Sequence, residues 1–473
     1  MKRIGTLIVI LQMIIAGAYG VNNITELTKK ANKGDAEAAY KVAEAYCNGT
    51  DVAKDYQKAI GFAQKAADKG NVKAMNLLGD IYREDSTTTA KAAEWYTKAA
   101  NKGNAEAQRK IGICYIGGHG VAKDYAKAAE WFGKAAEQGY AKAQYDLGLC
   151  YIMGMGVAKD YGKAVELFQK AADQGDSDAQ HNMGVCYESG NGVPQDYGKA
   201  FEWFQKAALQ GNADSQVNMG MCYANGKGVA KDDVKALEWF QKAADQGYPK
   251  GQYDLAVCYA NGYGVKQDLA KAVEWYEKAA NQGSAEAQYM LGLCYLHGEG
   301  VAKDYNKAAE LIGKAAEQGL ASAEYDLAIC YVNGEGVPKD EAKAVELLQK
   351  SADQDYTEAQ YALGQYYFKG AQDYGKAVKL FEKVAEKGYS AAQNNLGGCY
   401  ANGYGVAKDY SKAVEWYKKA ADQGNAMAQY NLGRCYFDGT GVAKDYVKGV
   451  ELIKKSADQG YEKAKAEMAK IKK

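Results

Sequence analysis

Residues 140–175 read YAKAQYDLGLCYIMGMGVAKDYGKAVELFQKAADQG, and their spacing decides the fold. In the first half, Ala143, Leu147 and Tyr151 recur at i, i+4 and i+8, with Cys150 beside them and Gly148 at the edge of the stripe. That spacing predicts a helix with one buried face. Gly148 and the alanines are small, which lets neighbouring helices come close. Gly154 stands where a helix end calls for the left-handed conformation, and Gly156 gives the loop a second permissive position before Val157 turns inward. Asp160 suits the N-cap of a second helix, because its carboxylate can accept from the free amides of the first turn. That helix carries Ala164, Leu167, Phe168, Ala171 and Ala172 inward and stops at Gly175.

Aligned with itself, the 473-residue chain repeats this unit twelve times, from Asp35, Asn71, Asn104, Tyr140, Asp176, Asn212, Tyr248, Ser284, Leu320, Tyr356, Tyr389 and Asn425. The copies at Asn71 and Tyr356 are shorter and lack the GxGV loop. Nine copies keep both loop glycines, and the first has Asp51 in place of the second. Half-units stand at the two ends: ITELTKKANKG resembles the second half of a copy, and YEKAKAEMAKIKK the first half. A stacked array needs such half-units to cover its terminal faces. The expected organisation is an N-terminal capping half-repeat over 21–34, twelve helix-turn-helix repeats over 35–460 and a C-terminal capping helix over 461–473.

The composition favours a repeat array over jointed domains, with 54 Gly but only 3 Pro and no linker-like stretch. Lys plus Arg equals Asp plus Glu at 59 each, so no net field attracts nucleic acid or an anionic membrane surface. The opening MKRIGTLIVILQMIIAGAYG, residues 1–20, departs from everything after it and reads as a signal peptide, with cleavage after Ala18 or Gly20. The alternative is an uncleaved N-terminal anchor, although Gln12 interrupts an apolar run already short for a bilayer. The expected location is secreted or periplasmic, and no later segment resembles a membrane span.

The recurring pattern AxAQYxLGxCYxxGxGVAKDYxKAxEWYxKAADQG resembles the Sel-one-like repeat family, relatives of tetratricopeptide repeats, over nearly the whole chain. The resemblance implies an all-α fold, a right-handed α/α superhelical solenoid whose first helices line the inner surface. It also implies a non-catalytic adaptor or scaffold for protein assembly, with no cofactor.

Nine cysteines share one register, from Cys114 and Cys150 through Cys186, Cys222, Cys258, Cys294, Cys330 and Cys399 to Cys435. Helix axes pack about 8–10 Å apart, whereas a disulfide needs Cα atoms within about 7 Å, so equivalent cysteines of a regular array cannot pair. They are expected to be buried, reduced, small apolar fillers. A cysteine-rich subgroup of the family has two Cys per repeat, which bridge, and has penicillin-binding and weak β-lactamase activity. This chain departs from that pattern with one Cys per repeat, so neither property carries over. Cys47 falls two positions beyond the common register, about 100° round a helical wheel from the buried stripe. With no CxxC and with His119, His181 and His297 in three different units, no metal or catalytic site is expected. GMGVAKDYGKA has the wrong glycine spacing for a phosphate loop.

Positions equivalent to Tyr145, Leu149 and Ile152 lie off the stripe and vary between copies while the stripe does not. The Tyr145 position is Tyr in seven copies. The Leu149 position is apolar from Ile113 to Ile329 and becomes Glu44, Asp80, Gln365, Gly398 or Arg434 outside that range. A tyrosine-lined apolar centre with polar ends suits capture of a protein or extended peptide on the concave side. The candidate partner-binding residues are Tyr145, Leu149, Ile152, Tyr253, Val257, Tyr289, Leu293, Leu296, Tyr325, Ile329 and Val332. A second reading is open: these apolar side chains pack against the neighbouring unit. Alternatives of another class are a cell-wall-related, β-lactamase-like hydrolase, by analogy with the cysteine-rich relatives, and a peptidoglycan or glycan binder.

Overall fold

A computed structural model describes residues 24–471, and every regular element among them is helical. The expected signal segment, 1–20, lies outside the described residues. A helix over 24–32 precedes the first repeat, and one spanning Glu462–Ile471 follows the last. Between them the twelve copies each form two helices, here termed A and B. The chain divides into two compact units, one ending at Gln246 and the other beginning at Gly247. The first contains the copies from Asp35 to Asn212, and the second those from Tyr248 to Asn425.

In the fourth copy, helix A spans Ala141–Met153 and helix B spans Tyr161–Asp173. Gly154 ends helix A in the left-handed conformation, φ 69°, and its amide donates to the Cys150 carbonyl. Asp160 caps helix B, accepting from the Lys163 amide at 3.0 Å. Helix A starts differently from copy to copy. Asn104, Asp176, Asn212 and Ser284 cap it through their side chains, whereas Tyr140 and Tyr248 do not.

The core joins small residues to one large residue of each B helix, as in Ala143, Cys150, Ala164, Phe168, Ala171 and Ala172, and in most copies the Leu147 position of the A helix is buried with them, as Ile111, Met183, Leu255 and Leu396. Leu147, Tyr151 and Leu167, expected inside, are only half-buried. The Phe168 ring lies on Gly148, where an added Cβ would sit 2.5 Å from the ring. Gly148 therefore makes room for an aromatic side chain of its own repeat.

Gly156 has a different task. Its φ is 72°, and a side chain there would run into the Tyr125 carbonyl of the preceding repeat. Gly192, Gly228, Gly300, Gly336, Gly405 and Gly441 meet the preceding B helix in the same way. Asp51 occupies this place in the first copy with φ 63°, where no complete repeat precedes it. In the two short copies the loop is replaced, by a 3₁₀ turn over Ser86–Thr88 and by a π-turn over Tyr366–Gly370.

A glutamine that the sequence reading passed over ties the helices together. Gln144 is buried and donates to the Ala136 carbonyl at the end of the preceding B helix, at 3.3 Å. Its oxygen accepts from Gln174, at the end of its own B helix, at 2.8 Å. The same double link recurs at Gln108, Gln180, Gln216, Gln288, Gln393 and Gln429. It adds a side-chain donor to a helix-end carbonyl that otherwise accepts from the turn beyond the helix, as Ala136 does from Gly139 at 2.9 Å.

Candidate functional site

The A helices present the candidate residues. Tyr145, Leu149, Ile152, Tyr253, Val257, Tyr289, Leu293, Leu296, Tyr325 and Ile329 are half-buried, and Val332 is 50% exposed. The fourth-copy residues Tyr145, Leu149 and Ile152 pack on a cluster containing Phe168, Met183 and Cys186 of the fourth and fifth copies. Tyr253 and Val257 pack on one containing Tyr276 and Leu291, and Leu293 on Ile312 and Ala323. These side chains thus use part of their surface to join adjacent repeats and leave the rest at the surface.

The tyrosine rings lean on the core and on each other. Tyr145 lies 5.8 Å from Phe168, Tyr253 5.9 Å from Tyr276, and Tyr325 5.7 Å from Tyr356, between ring centroids. Burial pushes the Tyr145 hydroxyl up to about 12 and Tyr289 higher still, so all of them stay neutral at ordinary pH.

A row of polar pairs runs along this face between successive copies, and the sequence reading did not foresee it. Each pair joins the Tyr145 position of one copy to the Asp146 position of the next. Arg109 Nε donates to Asp146 at 2.5 Å, Asn182 to the Tyr145 hydroxyl at 3.4 Å, and Tyr289 to Asp326 at 2.8 Å. Asn395 donates to the Tyr361 hydroxyl at 3.2 Å, and Asn431 to Asn394 at 2.9 Å. The signal was available in the sequence: the two positions are 37 residues apart, one more than the period, and 34 apart across the short copy that begins at Tyr356. Asp254 holds the same register, and one oxygen of its carboxylate is covered with no hydrogen-bond partner.

The ten cysteines are free thiols, buried except for Cys47 and Cys435, which are half-buried. Burial raises the Cys150 thiol to about 11, the opposite of what a nucleophile needs. Among the described residues no cluster of three His, Cys, Asp or Glu side chains is arranged to hold a metal, and no helix is long and apolar enough to cross a membrane.

The family model for the Sel1 repeat matches twelve consecutive segments, from 36–71 through 141–176 to 426–461. The chain belongs to the Sel1 repeat family. Its fold is an all-helical α/α repeat array, and such an array is a scaffold suited to protein interaction. Among solved structures, this Sel1 repeat protein is similar to a protective antigen of uropathogenic Escherichia coli strains that displays an SLR fold. The two share 36% identity over 95% of this chain and 90% of that one, with a TM-score of 0.70. It is also similar to a Sel1 repeat protein from Oxalobacter formigenes, at 36% identity over 65% of this chain and 90% of that one, with a TM-score of 0.53. No curated protein matches.

Proposed function

We propose that this Sel1 repeat protein is a non-catalytic scaffold that binds a protein or extended peptide on the surface formed by its A helices. The observation that carries the reading is the division of labour along each A helix. Gln144, Gly148 and Cys150 serve the packing of the helices in nearly every copy, whereas the Tyr145 position reads Tyr40, Asn76, Arg109, Tyr145, His181 and Val217 in one unit and Tyr253, Tyr289, Tyr325, Tyr361, Asn394 and Tyr430 in the other. Changing side chains on a fixed frame are what selective recognition uses, and half-exposed tyrosines offer area and a hydroxyl at low entropic cost. The buried, high-pKa thiols support a role without covalent chemistry. The signal-like segment 1–20 supports a secreted or periplasmic setting.

The test is selection of a random peptide library on the purified chain, followed by binding to a variant with Tyr253, Tyr289 and Tyr325 replaced by Ser and to Val332→Glu, which disturbs the surface alone. Selected peptides are expected to lose about tenfold or more in affinity while far-UV circular dichroism is kept. Unchanged affinity in both variants would discard the A-helix surface as the binding face.

A further inference from the structure

We propose that a pocket between the starts of the seventh and eighth A helices receives an arginine side chain of the bound polypeptide, its guanidinium pairing with Asp254. The inference deepens the scaffold reading and rests on it for the polypeptide nature of the ligand. The pocket has a volume of about 380 Å³, and its walls include Lys250, Tyr253, Asp254, Ser284 and Glu286.

The first support is the unmet hydrogen-bonding capacity of Asp254, one of whose oxygens is covered and has no donor. Burial holds its carboxyl up to about 6, Lys250 counteracts this through its field without a hydrogen bond, and Glu286 adds repulsion. A carboxylate in that state gains from any cationic donor that reaches it.

The second support is the chain's own use of the same register. Asp146 and Asp326 stand where Asp254 does in the fourth and ninth copies. Asp146 takes Arg109 Nε at 2.5 Å, and Asp326 takes the Tyr289 hydroxyl at 2.8 Å. Arg109 reaches Asp146 from the preceding copy and shows that a carboxylate in this register takes a guanidinium, while the pocket of Asp254 opens toward the following copy.

The remaining walls favour arginine over lysine. Asp254 and Glu286 against Lys250 leave one formal negative charge, and the Tyr253 ring offers a face on which a planar cation can lie. A guanidinium presents several donors in a fixed fork and can engage two carboxylates, whereas an ammonium is a point charge with a stronger hold on water.

The probe is the tripeptide acetyl-Gly-Arg-Gly-amide, titrated calorimetrically into the full chain at low salt beside its lysine and citrulline counterparts. The arginine peptide is expected to bind at least about fivefold more tightly than either. Asp254→Asn should abolish that preference and Glu286→Gln reduce it, while Asp146→Asn, whose carboxylate is already engaged, leaves it intact. Circular dichroism and thermal melting establish that each variant is folded. Equal affinity for arginine and citrulline peptides, or a preference that survives Asp254→Asn, would overturn the pocket. Selected library peptides that bind wild type and Asp254→Asn alike discard the pocket and keep the scaffold reading. An Asp254-dependent arginine preference in a chain indifferent to Tyr289→Ser, Tyr325→Ser and Val332→Glu keeps the pocket and discards the wider face.

Discussion

Gln174 donates to the side-chain oxygen of Gln144 at 2.8 Å, and this contact orients the Gln144 amide so that its nitrogen reaches the Ala136 carbonyl of the preceding repeat. Gln144→Leu removes both bonds and leaves the Ala136 carbonyl with only the turn amide of Gly139, at 2.9 Å, as donor. The expected loss is about 2 kcal/mol, measured by urea denaturation, against under about 1 kcal/mol for Gln174→Ala, whose side chain lies nearer the surface. Ala39 and Met75 hold this register in the first two copies, so the array closes without the link and the loss should stay at one junction. Equal losses in the two variants would contradict the central role of Gln144.

Gly156→Ala should destabilise by at least about 2 kcal/mol, because it places a side chain at φ 72° and against backbone of the preceding repeat, which cannot move aside cheaply. Asp51→Gly, at the equivalent place in the first copy, relieves a left-handed residue with φ 63° and should be neutral or stabilising. The pair of melting curves decides whether the loop glycine serves the junction between repeats.

Thiol reactivity separates the cysteines by accessibility. In the native chain at pH 8, an aromatic disulfide reagent should modify Cys47 first and Cys435 next, since both are half-buried. Burial holds Cys150, Cys186, Cys222, Cys294 and Cys330 up at about 11, as it does Cys435, but these five are covered as well and should react only on unfolding. Peptide mapping after brief labelling reads the order, and early modification of Cys150 would contradict it.

Asp254 sets a pH dependence of known sign. Its carboxyl stands at about 6 in the folded chain, above its ordinary 3.8, so between those values the folded state binds the proton more tightly than the unfolded state. The stabilisation from the protonated acid is complete below about pH 4 and is lost as pH rises through 6. Asp254→Asn should remove this slope and raise stability at pH 7 by up to about 2 kcal/mol. Denaturation midpoints of both proteins from pH 4 to 7.5 check it, and parallel curves would refute it.

Much of the architecture was legible because each repeat states it locally. Gly154 ends helix A and Asp160 begins helix B through interactions spanning a few residues, so spacing alone places them. The polar row was harder to see. Its members, such as Arg109 and Asp146, are unremarkable singly and gain meaning only when stacking sets one copy's fifth residue after its start beside the next copy's sixth. The candidate residues all fall on A helices, but a helical wheel does not say how much of Leu149 or Val257 is taken up by the neighbouring copy.

The sequence by itself determined the helical pairs, the period, the caps and the family, because helix formation and capping depend on residues within one or two turns. Only the tertiary structure decided that Gln144 is the link between repeats, that Gly156 is required by the preceding helix, and that Asp254 is left without a donor where Asp146 has Arg109. Those outcomes depend on which side chains meet across helices some 30 to 37 residues apart in the chain. Such meetings follow from how neighbouring copies pack, which no single copy encodes.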